Sequence, residues 1–260
     1  MFKSSMGGKF MKALITGASS GIGKEMAYCL AKKGIDLCLV ARRYDRLLSI
    51  KEDIEKTYNV NVSIFQKDLS VATDVISLPS LTGKVDILIN NAGFGKLGNF
   101  TEISLEDELN LIDVNVKALH ILTKLYLETM DDKGYILNVA SIAALLGAGP
   151  LLASYYASKA YVLCLSQSID EELKSSKRNI SVSTLCPGPV DTEFNDVAGA
   201  KFNLSSLDAK KVADYAIKKM FKRKRVIIPG FTIKLSAIAA KLLPSSLMAK
   251  ITHKMQKKKM

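Results

Sequence analysis

Tyr155 and Lys159 stand four residues apart in Tyr155-Tyr156-Ala157-Ser158-Lys159. On a helix that spacing puts both side chains on one face. A free tyrosine hydroxyl titrates near pH ~10, too high for proton transfer at neutral pH. An ammonium held beside it favours the phenolate and lowers that value. Upstream, Ser141 can hold a substrate oxygen and Asn115 can hold a water that resupplies the proton. The four residues outline acid–base chemistry on an oxygen atom, with Tyr155 moving the proton. Tyr156 does not fit, because the residue four positions on is Ala160. A Tyr-x-x-x-Lys pair also arises in ordinary helices as a half-buried ring beside a solvated lysine, so the rest of the chain must carry the reading.

The elements that would position these groups begin at the N-terminal end. Lys12-Ala13-Leu14-Ile15 is a short apolar run ending in Thr16-Gly17-Ala18-Ser19-Ser20-Gly21-Ile22-Gly23, and a helical pattern follows through Leu30 to Gly34. The pattern predicts strand, glycine-rich turn, helix. Such glycines let the backbone approach a pyrophosphate, and the helix N-terminus presents unpaired N–H groups to it. The spacing is G-x-x-x-G-x-G, not the commoner G-x-G-x-x-G. A tight βα turn that binds nothing is the plain alternative.

Apolar runs then alternate with helical patterns. Leu37–Ala41, Val62–Phe65, Asp86–Asn90, Gly134–Ala140, Ser181–Cys186 and Val226–Ile228 read as strands. Helical stretches fall around Arg46–Tyr58, Leu105–Met130, Ala153–Lys177 and Asp208–Phe221. Repeated βα units predict an α/β fold, a doubly wound parallel sheet of Rossmann type flanked by helices, in a single domain. A chain of 260 residues and 28.4 kDa with 48% hydrophobic residues suits one such domain with a full core. Ligands bind such sheets outside the carboxyl ends of the strands, where Asn90, Ser141 and the Pro187 loop fall. Residues 1–10 lack the apolar stretch of a signal peptide and read as a loose extension. Cys29, Cys38, Cys164 and Cys186 show no metal spacing and read as buried thiols of a reducing, cytoplasmic setting. His120 and His253 are too scattered for a metal site.

Six motifs in order resemble the short-chain dehydrogenase/reductase family, from about Met11 to Pro229. They are Thr16-Gly17-x-x-x-Gly21-Ile22-Gly23, Asp68, Asn90-Asn91-Ala92-Gly93, Asn115, Ser141 with Tyr155-x-x-x-Lys159, and Pro187-Gly188-Pro189-Val190-x-Thr192. The resemblance implies a catalytic domain over 11–229, an Asn-Ser-Tyr-Lys tetrad, and hydride transfer between a nicotinamide cofactor and a carbonyl or alcohol. It implies that Tyr155 is the acid–base, that Ser141 orients the substrate oxygen and that Asn115 holds the relay water. Lys159 would bind the nicotinamide ribose and tune Tyr155. Asp68 resembles the family's adenine-contacting aspartate, and Thr192 the residue that meets the nicotinamide amide. Asn90, Ala92 and Gly93 shape the crevice. Homodimers and homotetramers are common in the family, and reduction is the direction it implies for an enzyme using NADPH.

Cofactor choice can be argued from the end of the second strand. An NAD enzyme usually places a carboxylate there for the ribose 2′-hydroxyl. This chain has Ala41 followed by Arg42 and Arg43. A guanidinium fork suits a 2′-phosphate in charge and geometry, so NADP(H) is favoured over NAD(H), with Arg42 the first choice of reader. An ordinary basic start to the next helix is the alternative.

The net charge of +12 is concentrated at one end. From Lys218 onward there are 13 Lys or Arg and no Asp or Glu, leaving 24 basic against 25 acidic side chains before it. That distribution argues against nucleic acid, which favours a basic face across the folded domain. Residues 230–260 form a basic, amphipathic segment broken by Pro244, expected as two short helices too charged to span a bilayer. Its apolar residues with lysine edges fit peripheral contact with an anionic membrane; a cap on the substrate pocket or a subunit contact is the alternative. Between Ser141 and Tyr155 lie Ala143, Ala144, Leu145, Leu146, Leu151 and Leu152, with no Lys or Arg to clamp an acid. An apolar carbonyl compound or its alcohol is therefore the expected small-molecule substrate. The irregular stretch from Asp191 to Leu207 is expected to act as a lid. The rival to an NADPH-dependent carbonyl reductase is a nucleotide-sensing protein that keeps the fold without physiological catalysis.

Overall fold

Seven apolar runs form the sheet: β1 Lys12–Thr16, β2 Asp36–Ala41, β3 Val62–Gln66, β4 Ile87–Asn90, β5 Lys133–Val139, β6 Asn179–Leu185 and β7 Val226–Ile227. The computed structural model describes residues 11–194, 199, 206–240 and 242–258. The expected loose extension at 1–10, and the part of the expected lid at 195–198 and 200–205, lie outside those residues. All strand pairs are parallel, in the order β3-β2-β1-β4-β5-β6-β7. The order reverses between β1 and β4, which opens the crevice where doubly wound sheets bind their ligands. Ala13, Leu14 and Ile15 of β1 and Ile87, Leu88 and Ile89 of β4 are fully buried, because both faces of the sheet are covered.

One face is covered by α1 (Gly21–Ala31), α2 (Tyr44–Thr57) and α7 (Ala209–Phe221), with Leu30, Leu47 and Ile217 in the contact. The other is covered by α3 (Ala72–Thr82), α5 (Leu119–Thr129) and α6 (Ala153–Ser175), where Leu78, Leu122 and Leu173 pack. A short helix α4 (Leu105–Ile112) leads into α5. The chain closes with α8 (Phe231–Ala240) and α9 (Ser245–Lys257), separated at Pro244.

Several expectations need correction. The helical stretch read over Leu105–Met130 is interrupted by a π-helical segment, Asp113–Ala118, which holds Asn115. Such segments insert a wider turn that re-aims side chains. The helix α3 was not expected, since Pro79 lies inside it and its apolar residues point both inward (Val75, Leu78) and outward (Ile76, Leu81). The thiols are not all buried: Cys38 and Cys186 are, Cys29 is half-buried and Cys164 is exposed. Cys164 lies on the outer side of α6, where periodicity alone does not separate a small thiol from its apolar neighbours. Among the described residues no cluster of His, Cys, Asp or Glu can hold a metal, and no helix is long and apolar enough to cross a membrane.

Candidate active site

A cleft of about 560 Å³ runs along the carboxyl ends of β1, β2, β4, β5 and β6, from Arg42 and Asp68 at one end to Tyr156 and Gln256 at the other. The glycine turn forms its floor. Gly17 has φ +64°, and a Cβ there would stand 2.8 Å from Ala92 Cα. At Gly23 a Cβ would stand 2.5 Å from the Gly17 carbonyl oxygen, so α1 meets the turn at a distance only glycine permits. Ser20 caps α1 without a side-chain hydrogen bond, and the first turn carries no acidic residue, so its N–H groups stay available to an anion. This donor set and this cradle fit a dinucleotide pyrophosphate. Ser19, Gly21 and Ile22 also line the cleft.

The β4 end locks that floor. Asn91 donates from Nδ2 to the carbonyls of Thr16 (3.0 Å) and Gly17 (3.1 Å), and the Asn91 and Ala92 N–H groups donate to Thr16 Oγ1. Asn90 points inward to Thr123 and Asn138, a structural placement. Asp68, at the Arg42 end of the cleft, accepts from Ser70 through both N–H and hydroxyl. Pro187, Gly188 and Val190 line the opposite wall. Thr192 crosses above the turn, with its Cγ2 only 3.0 Å from where a Gly21 Cβ would be.

The two arginines are placed differently. Both line the cleft, but Arg43, not Arg42, lays its guanidinium on the glycine turn, donating to Ser19 Oγ (3.0 Å) and Ser20 Oγ (2.8 Å). Its third donor reaches Glu193 at 2.6 Å, and Arg46 grips the same carboxylate. Hydrogen bonds from Arg43 and Arg46 hold the Glu193 carboxyl down to about 2. Glu193 was not singled out from the sequence; nothing in its local spacing points to partners 150 and 147 positions away.

Ser141, Tyr155 and Lys159 come together at the centre of the cleft, where β5 ends and α6 begins. The phenol is hydrogen-bonded to Ser141, whose Oγ also accepts from Ala143 N–H. Lys159 is 4% exposed, donates to the Val139 carbonyl at 3.0 Å and stands 5.7 Å from the centroid of the Tyr155 ring. The titration of the phenol differs from the sequence expectation. Burial pushes Tyr155 up to about 12, only partly opposed by the bond to Ser141. Burial likewise pushes Lys159 down to about 8. Desolvation therefore outweighs any lowering by the ammonium, which bonds a backbone carbonyl and not the phenol oxygen.

Asn115 is 1% exposed and works as a brace as placed. Its Nδ2 donates to the Phe94 carbonyl (2.8 Å) and Ser158 Oγ (3.1 Å), and its Oδ1 accepts from Phe94 N–H. A Cβ on Gly93 would lie 2.9 Å from Asn115 Oδ1 and 3.0 Å from Lys159 Nζ, so the absence of a side chain there lets all three approach.

Of the six residues expected to line the substrate end, Ala143 and Leu152 do. Ala144 and Leu145 turn away to pack near Leu119 and Leu163, and Leu146 packs against the cluster of Ala143, Leu152 and Tyr156. Leu151 is buried but not in the wall. Phe94, Phe194 and Gln256 take those places. Gln256 belongs to α9, so the C-terminal segment caps this end of the cleft.

The family profile described as short chain dehydrogenase matches residues 11–202. An uncharacterized oxidoreductase of Staphylococcus epidermidis is 31% identical over 232 residues, covering 85% of this chain and 96% of that one. A short-chain dehydrogenase from Sphingobium yanoikuyae solved with NADPH superposes with a TM-score of 0.80 at 30% identity, covering 90% of this chain and 94% of that one. A short-chain dehydrogenase/reductase from Burkholderia phymatum solved with NAD also gives 0.80, at 25% identity, covering 88% and 92%. The chain belongs to the short-chain dehydrogenase/reductase family. It is thus an oxidoreductase acting between CH–OH and C=O groups with a nicotinamide dinucleotide.

Proposed function

We propose that the protein is an NADP(H)-dependent carbonyl reductase acting on an apolar ketone or aldehyde. The observation that carries this is the trio of buried Ser141, half-buried Tyr155 and buried Lys159 facing a cleft whose floor is a glycine turn and whose substrate end is apolar. The bound nicotinamide supplies or accepts the hydride. Tyr155, with its phenol near 12, is protonated at neutral pH and donates its proton to the substrate oxygen. Ser141 holds the same oxygen, and the Lys159 charge stabilises the developing alkoxide. Lys159 Nζ also suits a ribose hydroxyl, because Val139 is its single hydrogen-bond partner among the described residues. Asn115 positions the loop at Gly93 and Phe94 beside that lysine.

Arg42 and Arg43 support NADPH over NADH, since neighbours in the family use either cofactor and this strand end carries no carboxylate. Lys96, at the mouth of the cleft, is paired with Asp107 at 3.1 Å, which supports an uncharged substrate over an acid. The test is NADPH oxidation by purified protein over a panel of aldehydes and ketones. Turnover that is lost in Tyr155→Phe supports the reading. Tight NADPH binding with no turnover across the panel would favour the nucleotide sensor instead.

The segment α8–α9 supports a second, separable proposal of peripheral contact with an anionic bilayer. Phe231, Leu235, Ile238 and Leu242 are exposed, and Lys234, Lys250, Lys254 and Lys257 accompany them without an acidic neighbour. Sedimentation with phosphatidylserine vesicles should be lost in a Phe231→Glu/Leu242→Glu variant. Unchanged sedimentation would remove the membrane contact, and loss of a dimer instead would assign this surface to a second copy of the chain.

A further inference from the structure

The face of α9 that meets the body is Met248, Thr252 and Gln256, spaced by four residues so that they align along one side of the helix. Met248 and Thr252 anchor the helix. Thr252 Oγ1 donates to the Ala148 carbonyl at 2.8 Å, in the loop that leads to α6. Gln256, one turn later, is 3% exposed and reaches the wall of the cleft. Its Nε2 donates to the Tyr156 hydroxyl at 2.8 Å. Gly149 makes room for that ring, since a Cβ there would sit 2.2 Å from Tyr156 Cδ2. The carboxamide is thus held by one end only.

The other end, Gln256 Oε1, is buried and has no hydrogen-bond partner. A buried acceptor left unpaired is costly, so one carried by a residue of the cleft wall is an argument about the ligand. Other described residues also carry a buried unpartnered oxygen, among them Asn90, Glu108 and Ser183, but Gln256 alone of these lines the cleft. Tyr156, which Gln256 touches, packs with Ala143 and Leu152 in one apolar cluster, and all three line the cleft. The pocket therefore has an apolar wall carrying an acceptor, at the end away from the glycine turn.

We propose that the substrate is an apolar carbonyl compound with a hydrogen-bond donor, a hydroxyl or N–H, remote from the reacting carbon, and that Gln256 Oε1 receives it. This rests on the carbonyl-reductase reading and adds the chemistry of the distal end. Tyr156 is then a positioning residue: its hydroxyl takes the Gln256 Nε2–H and so leaves the amide oxygen for the substrate. The same arrangement gives α9 a reason to be part of the site, because substrate bound at both ends bridges the catalytic helix α6 and the C-terminal cap.

The experiment compares methyl ketones of eight to twelve carbons (2-octanone to 2-dodecanone) with their ω-hydroxy and ω-methoxy counterparts in the full-length protein. The methoxy compound matches the hydroxy compound in polarity of position but cannot donate. The expected result is a hydroxy over methoxy preference of about tenfold in kcat/KM, peaking at one chain length. In Gln256→Met the ratio should fall to near one, and in Gln256→Glu, which keeps an acceptor, it should persist. NADPH affinity measured on each variant shows that the fold is kept, since the residue lies at the other end of the cleft. Turnover of the ketones with a ratio that Gln256→Met does not change overturns the assignment and leaves the carbonyl-reductase reading standing, as does a preference for the methoxy series. Failure to reduce any of the ketones removes both together.

Discussion

Arg43→Ala should weaken NADPH selectively, and Glu193→Gln should strengthen it. The two opposite signs come from one contact. Arg43 bonds Glu193 at 2.6 Å while its other donors sit on Ser19 and Ser20. A 2′-phosphate seated at this strand end takes the place of the Glu193 carboxylate on the guanidinium. Both side chains of the existing pair are 43% exposed, so solvent screens it, and such pairs contribute about 0–1 kcal/mol whatever the depressed titration of Glu193. A guanidinium–phosphate hydrogen bond contributes about 1.5–3 kcal/mol. The net gain from the exchange is about 1–2 kcal/mol, or about 5- to 30-fold in Kd. Arg43→Ala should cost NADPH that factor and NADH less than about twofold, because NADH carries no 2′-phosphate. Glu193→Gln removes the competitor and should tighten NADPH by up to about fivefold.

The assay is titration of each variant with NADPH and NADH, followed by nicotinamide fluorescence at low and at physiological salt. Arg42→Ala is the companion variant. Sequence reasoning gives it the larger loss, whereas the placement of Arg43 on the glycine turn reverses that order. Equal losses of both cofactors in Arg43→Ala would refute the 2′-phosphate assignment. Weaker NADPH binding in Glu193→Gln would refute the competition, and would make Glu193 a strut that holds Arg43 in place.

Tyr155→Phe should lower kcat for ketone reduction by about 100- to 10,000-fold while NADPH affinity, read by titration, changes little. Gly23→Ala should lower the melting temperature by about 2–10 °C, because its Cβ falls 2.5 Å from a backbone oxygen that cannot swing aside, an overpacking cost of about 1–3 kcal/mol. Lys159→Met should change how stability depends on pH. The folded-state value near 8 lies below the ordinary 10.5, so the unfolded chain holds a proton that the folded chain has lost between those limits. Stability from this group therefore rises as pH climbs through that window and is lost as pH falls through 8, by up to about 3 kcal/mol. Melting curves of the cofactor-free protein and of Lys159→Met, subtracted from pH 7 to 10, should show that rise; a flat difference would mean the ammonium is solvated.

The parts of the site that the sequence made legible are those encoded locally. The glycine turn, the strand ends and the Tyr155–Lys159 spacing each occupy a few consecutive positions, so hydrophobic periodicity and punctuation disclose them. Parallel order also followed from the βα alternation. What stayed hidden depends on contacts between distant positions. The Arg43–Glu193 pair joins residues 150 apart and the Gln256–Tyr156 bond joins residues 100 apart. No local signal marks Gln256, which sits in a run of lysines and reads as solvated surface. α3 was missed for another reason, since Pro79 weighs against a helix although the proline carbonyl still accepts from Gly83 N–H and closes the last turn.

The titration of the central pair shows what spacing alone leaves out. Four residues of separation on α6 does bring Lys159 beside the Tyr155 ring, yet nearness does not by itself lower a phenol's pKa. The ammonium and phenol share one desolvated space, and desolvation penalises the charged form of each: it raises the tyrosine and lowers the lysine. Both groups are then protonated at neutral pH, the state that suits donation to a substrate oxygen. Among the described residues Lys159 is compensated by a single backbone carbonyl, leaving a buried cation with donors to spare in a cleft floored by N–H groups. A cation held in that way is best satisfied by hydroxyl and anionic oxygen arriving with a ligand, so binding and proton transfer draw on the same charge.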